Sequence, residues 1–310
     1  MSTLREVVVV RKLDEIIKKV KDLPTMKLAV AAAEDIEVLE SVFSARKQGI
    51  VEPILVGDLE KINKIANDLG ESLDGICIID EKDYFLAAQK SVMLVSNGQA
   101  DFVMKGILDT SILLKAVLDK EYGLRTDSLL SHLMVYEVPT YHKLLFLTDG
   151  GMNISPNLEE KAKILKNAVK GAKALGLEEV KVACLAAKEK VSEKMVATVD
   201  AAALEEKGQN GEFGQGVIVE GPLAFDLAVS KEAAQIKNFK SEVSGDVDII
   251  LVPNIEVGNG VGKSLTYMAN AKSAGIIMGA KAPVVLVSRA DDAQSKLYSI
   301  ALGALIANYK

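Results

Sequence analysis

The chain has 310 residues, 49% of them apolar and 26% charged, so it can bury a substantial core in one large or two ordinary domains. Its net charge of −6 arises from well-mixed acids and bases, and it has 7 Phe, 7 Tyr and no Trp, which argues against a nucleic-acid-binding surface. No apolar run is long enough to span a membrane, and the N-terminus does not resemble a secretory signal. We therefore expect a soluble cytoplasmic protein.

Cysteine and histidine are scarce. Cys77 and Cys184 lie in apolar, strand-like runs, which predicts small buried hydrophobes rather than a nucleophile or a disulfide. The two histidines, His132 and His142, show no HxxxH or CxxC spacing, so no metal site is predicted. Either histidine is left open as a proton carrier.

In chain order, strand-like runs alternate with helical patterns almost throughout. The predicted strands are 27–33, 53–58, 75–80, 102–106, 143–149, 181–187, 216–221, 248–254 and 283–289. This alternation predicts βαβ units and a mainly parallel sheet with helices on both faces. Segment 121–147 breaks the rhythm and resembles hairpin strands, which favours two α/β lobes with a cleft between them and a break near 128–130.

The segment from Asp246 to Arg289 is the most informative. A strand ending at Val252 leads into the glycine-rich run 258–264, which is predicted to be a turn followed by a helix. A later strand ends with Ser288 and Arg289. Ligands of open α/β sheets bind beyond the carboxyl ends of strands, and helix N-termini attract anions. The segment therefore predicts an anion site, with phosphate the best fit.

Two nucleotide motifs fit this run poorly. A phosphate-binding P-loop would need glycine at position 257, where the chain has Val257, so the loop is one residue short. A dinucleotide fingerprint would need GxGxxG, whereas the chain has GxGxG at Gly258, Gly260 and Gly262. Neither NTP hydrolysis nor an NAD site is favoured.

Four separated blocks resemble the phosphate acetyl/butyryltransferase family, and the similarity extends over nearly the whole chain. The most specific elements are the GNxxGK run and the Ser288–Arg289 pair, while the GLRTxxLLSH and MNIxPxLxxK runs look closer to the butyryl branch. The blocks are 31–58, 104–132, 147–169 and 221–303.

The resemblance implies a two-domain, three-layer α/β/α fold like that of the isocitrate and isopropylmalate dehydrogenases, with the active site in the interdomain cleft. The implied domains are 1–129 with 280–310, and 130–279. The implied reaction is acyl-CoA plus phosphate giving acyl phosphate plus coenzyme A, with a short-chain substrate such as butyryl-CoA. It also implies no metal, no tightly bound cofactor, and a homo-oligomer.

The resemblance carries roles for particular residues. Arg289 would stabilise phosphate charge, since a guanidinium offers a fork of donors, and Ser288 would donate to the carbonyl oxygen or to phosphate. The resemblance also implies that phosphate or acyl phosphate is bound by Gly258, Asn259, Gly262 and Lys263. A turn serine beside a surface arginine, and a tight turn with a solvated lysine, are the simpler alternatives.

The resemblance implies that Lys115 and Arg125 contact coenzyme A, although both could equally well be ordinary surface charges. Acetyl-branch enzymes place an aspartate six positions after the catalytic arginine, where this chain has Ser295. The base for the thiol is therefore unassigned. Asp149 and Asn153, in a loop after a strand, are secondary cleft candidates.

Three further activities stay open from sequence. They are phosphate acetyltransfer, an NAD-dependent hydroxy-acid dehydrogenase of similar fold, and a binding protein for acyl-CoA or phosphate that lacks turnover.

Overall fold

The computed structural model of the protein describes residues 9–288 and 291–309. Its strands are β1 Met26–Ala31, β2 Val51–Gly57, β3 Cys77–Asp80, β4 Phe102–Lys105, β5 Ser131–Glu137, β6 Leu145–Thr148, β7 Val180–Leu185, β8 Val217–Leu223, β9 Ile249–Leu251, β10 Lys272–Met278 and β11 Val284–Val285. Its helices are α1 Leu13–Lys21, α2 Ile36–Lys47, α3 Leu59–Asp68, α4 Tyr84–Ser96, α5 Thr110–Val117, α6 Leu158–Ala174, α7 Val196–Gln209, α8 Phe225–Val229, α9 Lys231–Ile236, α10 Ile255–Met268 and α11 Ala293–Asn308. No described helix combines the length and the apolar character needed to cross a bilayer.

The described residues divide into two compact α/β units. We name the units by their order along the chain. The central unit lies within Met1–Leu13 and Ser131–Lys272, and the flanking unit within Asp14–Leu130 and Ser273–Lys310. The predicted division at 129/130 is close to the observed one, but the predicted division at 279/280 is not, and the prediction had placed the N-terminal segment up to Leu13 in the other domain. The second boundary differs because β10 pairs antiparallel with β11, through Ile276 and Val285, and so belongs to the flanking unit.

The flanking unit carries strands in the order β3-β2-β1-β4-β11-β10. All neighbours are parallel except β10 and β11. Helix α11 is buried along almost its whole length because it packs on α2, β4 and β11. Gly303 allows this approach, since a Cβ there would lie 2.9 Å from both Phe102 and Val285 side-chain atoms.

The central unit carries strands in the order β5-β6-β9-β7-β8. Strands β6, β9, β7 and β8 are parallel, and β5 pairs antiparallel with β6, which confirms the predicted hairpin strands. The segment that leads into the first residue of α1 joins this unit: Val10 N donates to Leu175 O, and Leu13 N donates to Glu137 Oε2.

The alternating pattern predicted the elements well. Each of the nine predicted strand runs overlaps an observed strand, and β10 was missed because its sequence, KSAGIIM, directly follows a helical pattern.

The two cysteines differ. Cys184 is buried as predicted, and burial raises the pKa of its thiol to about 12. The prediction is wrong for Cys77, which is exposed on the edge strand β3.

Candidate active site

The glycine-rich run is helical, so the predicted turn is wrong. Helix α10 begins at Ile255, and the Asn254 side chain caps it by accepting from Val257 N at 3.1 Å. Gly258 N donates to Asn254 O, as helix geometry requires. Since these amides bond within the helix, no loop of free N–H groups exists for the P-loop or dinucleotide interpretation to use.

The core explains why this segment is a helix despite its glycines. Val257, Val261 and Leu265 recur every four residues and pack against the core of the central unit. This apolar stripe and the Asn254 cap outweigh the low helix propensity of glycine, which costs about 1 kcal/mol per residue relative to alanine.

Two of the glycines allow helix α10 to pack closely against other segments, rather than forming a turn that could bind an anion. A Cβ on Gly258 would lie 2.6 Å from the Cα of Gly150, and a Cβ on Gly262 would lie 2.6 Å from the hydroxyl of Tyr136. Gly260 has no such neighbour within 4 Å. Gly258 and Gly262 therefore line the buried face of α10.

Asn259 and Lys263 lie on the exposed face of the same helix. Asn259 Nδ2 donates to Gly150 O over 3.4 Å, and Lys263 Nζ lies 5.7 Å from the centroid of the Tyr267 ring. Both side chains are thus placed to meet a ligand from solvent, and their phosphate-binding role stays a prediction.

The loop after β6 is organised by Asp149, which is 3% exposed. Its Oδ1 accepts from Gly151 N and Met152 N, each at 2.9 Å. Its Oδ2 accepts from His132 N at 3.1 Å and from Asn153 Nδ2 at 2.6 Å. The structure therefore brings together Asp149, Asn153, Gly258 and Asn259 at the carboxyl ends of β6 and β9.

His132 packs directly against this loop. A Cβ on Gly151 would lie 2.5 Å from His132 Nδ1, and Thr148 Oγ1 donates to His132 O at 2.9 Å. The other histidine, His142, lies elsewhere in the unit and pairs with Asp246 at 2.8 Å. His132 is therefore the histidine that belongs to the candidate site.

In the flanking unit, Ser288 is exposed beyond the carboxyl end of β11. Its N–H donates to Asp291 Oδ2 at 2.9 Å. Asp292 caps α11 by accepting from Ser295 N at 2.8 Å. Arg289 lies outside the described residues.

The two predicted coenzyme A contacts also lie in the flanking unit. Lys115 is exposed in the last turn of α5, and Arg125 is exposed in the loop that follows. Both are available to the phosphates of a ligand, and their role stays a prediction.

Two buried charges at the carboxyl edge of the flanking sheet were not singled out from sequence. Lys105 is the last residue of β4 and donates through Nζ to the carbonyls of Gly106 and Leu108, at 2.9 and 3.1 Å. Glu34 lies beyond β1 and accepts from Asp58 N at 3.3 Å. The available signal was a charged residue at the end of an apolar strand run.

No group of three or more His, Cys, Asp or Glu residues in the described ranges is arranged to hold a metal ion.

Comparisons with known proteins match this arrangement to one family. The family profile described as Phosphate acetyl/butaryl transferase matches residues 81–304. The chain is 47% identical over 301 residues to the phosphate butyryltransferase of Clostridium acetobutylicum, covering 97% of the chain and 100% of the relative. It is 44% identical over 281 residues to a phosphate acetyltransferase of Thermotoga maritima, covering 91% and 95%.

A solved structure agrees. The crystal structure of a branched-chain phosphotransacylase from Enterococcus faecalis superposes with a TM-score of 0.82 and 34% identity, covering 92% of this chain and 100% of that one. The protein is thus an α/β acyltransferase. It belongs to the phosphate acetyl/butyryltransferase family, as its sequence blocks indicated.

Proposed function

We propose that this protein interconverts butyryl-CoA plus phosphate with butyryl phosphate plus coenzyme A. The observation that carries the proposal is the 47% identity to a phosphate butyryltransferase along the whole length of that relative. A second candidate, phosphate acetyltransfer, is favoured by the 44% identity to the Thermotoga maritima enzyme.

In the forward direction a phosphate oxygen attacks the thioester carbonyl carbon. The tetrahedral intermediate then breaks its C–S bond, and the coenzyme A thiolate leaves and takes up a proton. In reverse, the thiol must lose that proton before attack, because the thiolate is the nucleophile. The site must therefore hold phosphate and stabilise negative charge on the carbonyl oxygen.

We assign the charge-bearing roles to side chains. Arg289 stabilises the phosphate, and Ser288 donates its hydroxyl to the carbonyl oxygen. Asn259 and Lys263 bind phosphate or acyl phosphate from the exposed face of α10. Gly258 and Gly262 act indirectly, because they let α10 lie against Gly150 and Tyr136.

Coenzyme A carries several phosphates, and the exposed cations Lys115 and Arg125 are assigned to them. The base for the thiol stays unassigned. Ser295 occupies the position where the acetyl branch has aspartate, and Asp291 and Asp292 each accept a backbone N–H. We also propose a homo-oligomer, which light scattering on the purified protein would test.

The deciding experiment is a thiol-release assay with acetyl-, propionyl-, butyryl- and valeryl-CoA at one phosphate concentration. Butyryl-CoA is expected to give the highest kcat/KM, with release that depends on phosphate. One methylene is worth about 1–3 kcal/mol in a hydrophobic pocket, which corresponds to clearly separable rates. Highest activity on acetyl-CoA would favour the second candidate, and release without phosphate would exclude both.

A further inference from the structure

Lys296 is a buried cation in the first turn of α11. The residue is 3% exposed, and it is the fourth residue of the helix, which begins at Ala293. Burial deprives an ammonium group of its hydration, and the partial positive charge at a helix N-terminus disfavours a cation there. Local rules therefore predict neither the burial nor the position of this lysine. Exceptions of this kind are expected mainly where a side chain serves the function of the protein.

The ammonium of Lys296 is bound to the loop that precedes the helix. Its Nζ donates a hydrogen bond to the backbone carbonyl of Asp291. The helix itself is capped by another residue, Asp292, whose carboxylate accepts from Ser295 N. Because Asp292 already supplies the cap, we attribute to the Lys296 bond a role in fixing the loop rather than in starting the helix.

Asp291 connects this bond to Ser288. The Asp291 carboxylate accepts from Ser288 N at 2.9 Å, and Asp291 N donates to Ser288 O at 3.1 Å. Ser288 and Asp291 are thus joined by two hydrogen bonds, and Asp291 is joined in turn to the ammonium of Lys296. The backbone of Ser288, an exposed residue beyond β11, is therefore connected to a buried group in α11.

We propose that Lys296 is a positioning residue, whose ammonium fixes Asp291 and thereby directs the hydroxyl of Ser288 at the carbonyl oxygen of the thioester. The proposal rests on the proposed function, in which Ser288 donates to that oxygen. Such a donor must be held in place before charge develops on the oxygen, because a displacement of about 1 Å can cost about 10²-fold in rate. A serine on an exposed loop needs this constraint, and the connection through Asp291 to Lys296 supplies it.

Lys296→Met tests the connection, because it removes the donor and keeps an unbranched side chain that suits a buried site. If Lys296 aligns a donor used in the transition state, kcat for butyryl-CoA should fall about 10–100-fold while both KM values stay within about twofold. Asp291→Ala removes the carboxylate that accepts from Ser288 N and should lower kcat over the same range. The matched control is Lys64→Met, the same change at an exposed position on α3, which should leave kcat unchanged.

Two further variants separate the alignment of Ser288 from a general loss of stability. In a Ser288→Ala background no hydroxyl remains to be aligned, so adding Lys296→Met should slow the enzyme by no more than about twofold. Ser299→Ala instead weakens α11 elsewhere, because it removes the hydroxyl that accepts from Gly275 N at 2.9 Å. This variant should melt at a lower temperature and keep the wild-type kcat.

A wild-type kcat in Lys296→Met would overturn the inference. So would an equal loss in the wild-type and Ser288→Ala backgrounds, because Lys296 would then act independently of Ser288. A similar fall in kcat for Ser299→Ala would assign the effect to stability and also overturn it. If Lys296→Met does not fold, Asp291→Ala in both backgrounds decides the question by the same criterion. A wild-type protein that shows no phosphate-dependent release of thiol would overturn the proposed function itself.

Discussion

Two segments of the central unit, helix α10 and the loop Asp149–Asn153, meet at Gly150 and Gly258 but use their backbone amides differently. In α10 the amides bond to carbonyls of the preceding turn, starting with Gly258 N to Asn254 O. In the loop, the amides of Gly151 and Met152 bond to the Asp149 carboxylate.

The difference shows which groups are available to donate hydrogen bonds to a bound anion. The sequence analysis favoured free N–H groups of the glycine-rich run as these donors and treated Asp149 and Asn153 as secondary candidates. The structure uses the amides of both segments internally. Under the proposed function, phosphate would be held mainly by side chains, for which Asn259, Lys263 and Arg289 are the proposed candidates. Variants of these side chains are therefore the best tests of the comparison.

The largest effect is expected for Arg289→Ala. If side chains rather than amides carry the phosphate charge, kcat should fall about 10²–10³-fold, or about 3–4 kcal/mol of barrier, as for a lost transition-state donor. Arg46→Ala is the control, because Arg46 lies on α2 and its described polar partners are the surface carboxylate of Glu52 and the carbonyl of Asp74. A change confined to ligand affinity would instead favour a binding protein without turnover.

The next effect concerns a second carboxylate in the same unit, which is partly buried. Asp149 is satisfied by N–H donors, whereas Asp200 pairs with Lys161 at 2.6 Å, with side chains 15% and 6% exposed. Lys161→Met leaves that charge uncompensated and should lower the free energy of unfolding by about 3 kcal/mol, measured by urea denaturation.

The double variant Lys161→Met with Asp200→Leu is the control for this charge. It should recover most of the lost stability, because both partners of the pair are then apolar. Equal stability of Lys161→Met and wild type would mean that the Asp200 charge is solvated rather than buried.

The smallest expected effect tests whether the glycine-rich run 258–264 forms a helix or the predicted turn. Gly258→Ala places a Cβ 2.6 Å from the Cα of Gly150, so we expect a loss of about 1–3 kcal/mol of stability and lower activity. Gly260→Ala meets nothing within 4 Å and should gain up to about 1 kcal/mol from helix propensity. Both variants are compared by thermal unfolding and by the KM for phosphate. A tenfold rise in this KM for Gly260→Ala alone would favour the predicted turn over the helix.

Much of the fold was predictable because hydrophobic periodicity is local. The strand runs alternate with helical patterns, and each of the nine predicted strands overlaps an observed one. Strand β10 was not predicted because its sequence, KSAGIIM, directly follows a helical pattern. Its antiparallel pairing with β11 depends on residues farther along the chain. That pairing also moved the boundary between the two units.

The candidate site was less predictable. Ser288, Lys115 and Arg125 are exposed, as binding roles require, but their sequence context alone does not distinguish them from surface charges. Gly258 and Gly262 were selected for the wrong physical reason, since glycine serves turns and close helix contacts equally well. The contacts that decide between these uses come from Gly150 and Tyr136, more than 100 residues earlier in the chain.

By itself the sequence determined the α/β class, the order of most elements and the family, because these follow from local patterns and from blocks of matching residues. The tertiary structure decided that residues 255–268 form a helix and that Asp149 lies buried among four donors. Both outcomes depend on packing and hydrogen bonds between distant segments, and these exist only once the chain has folded.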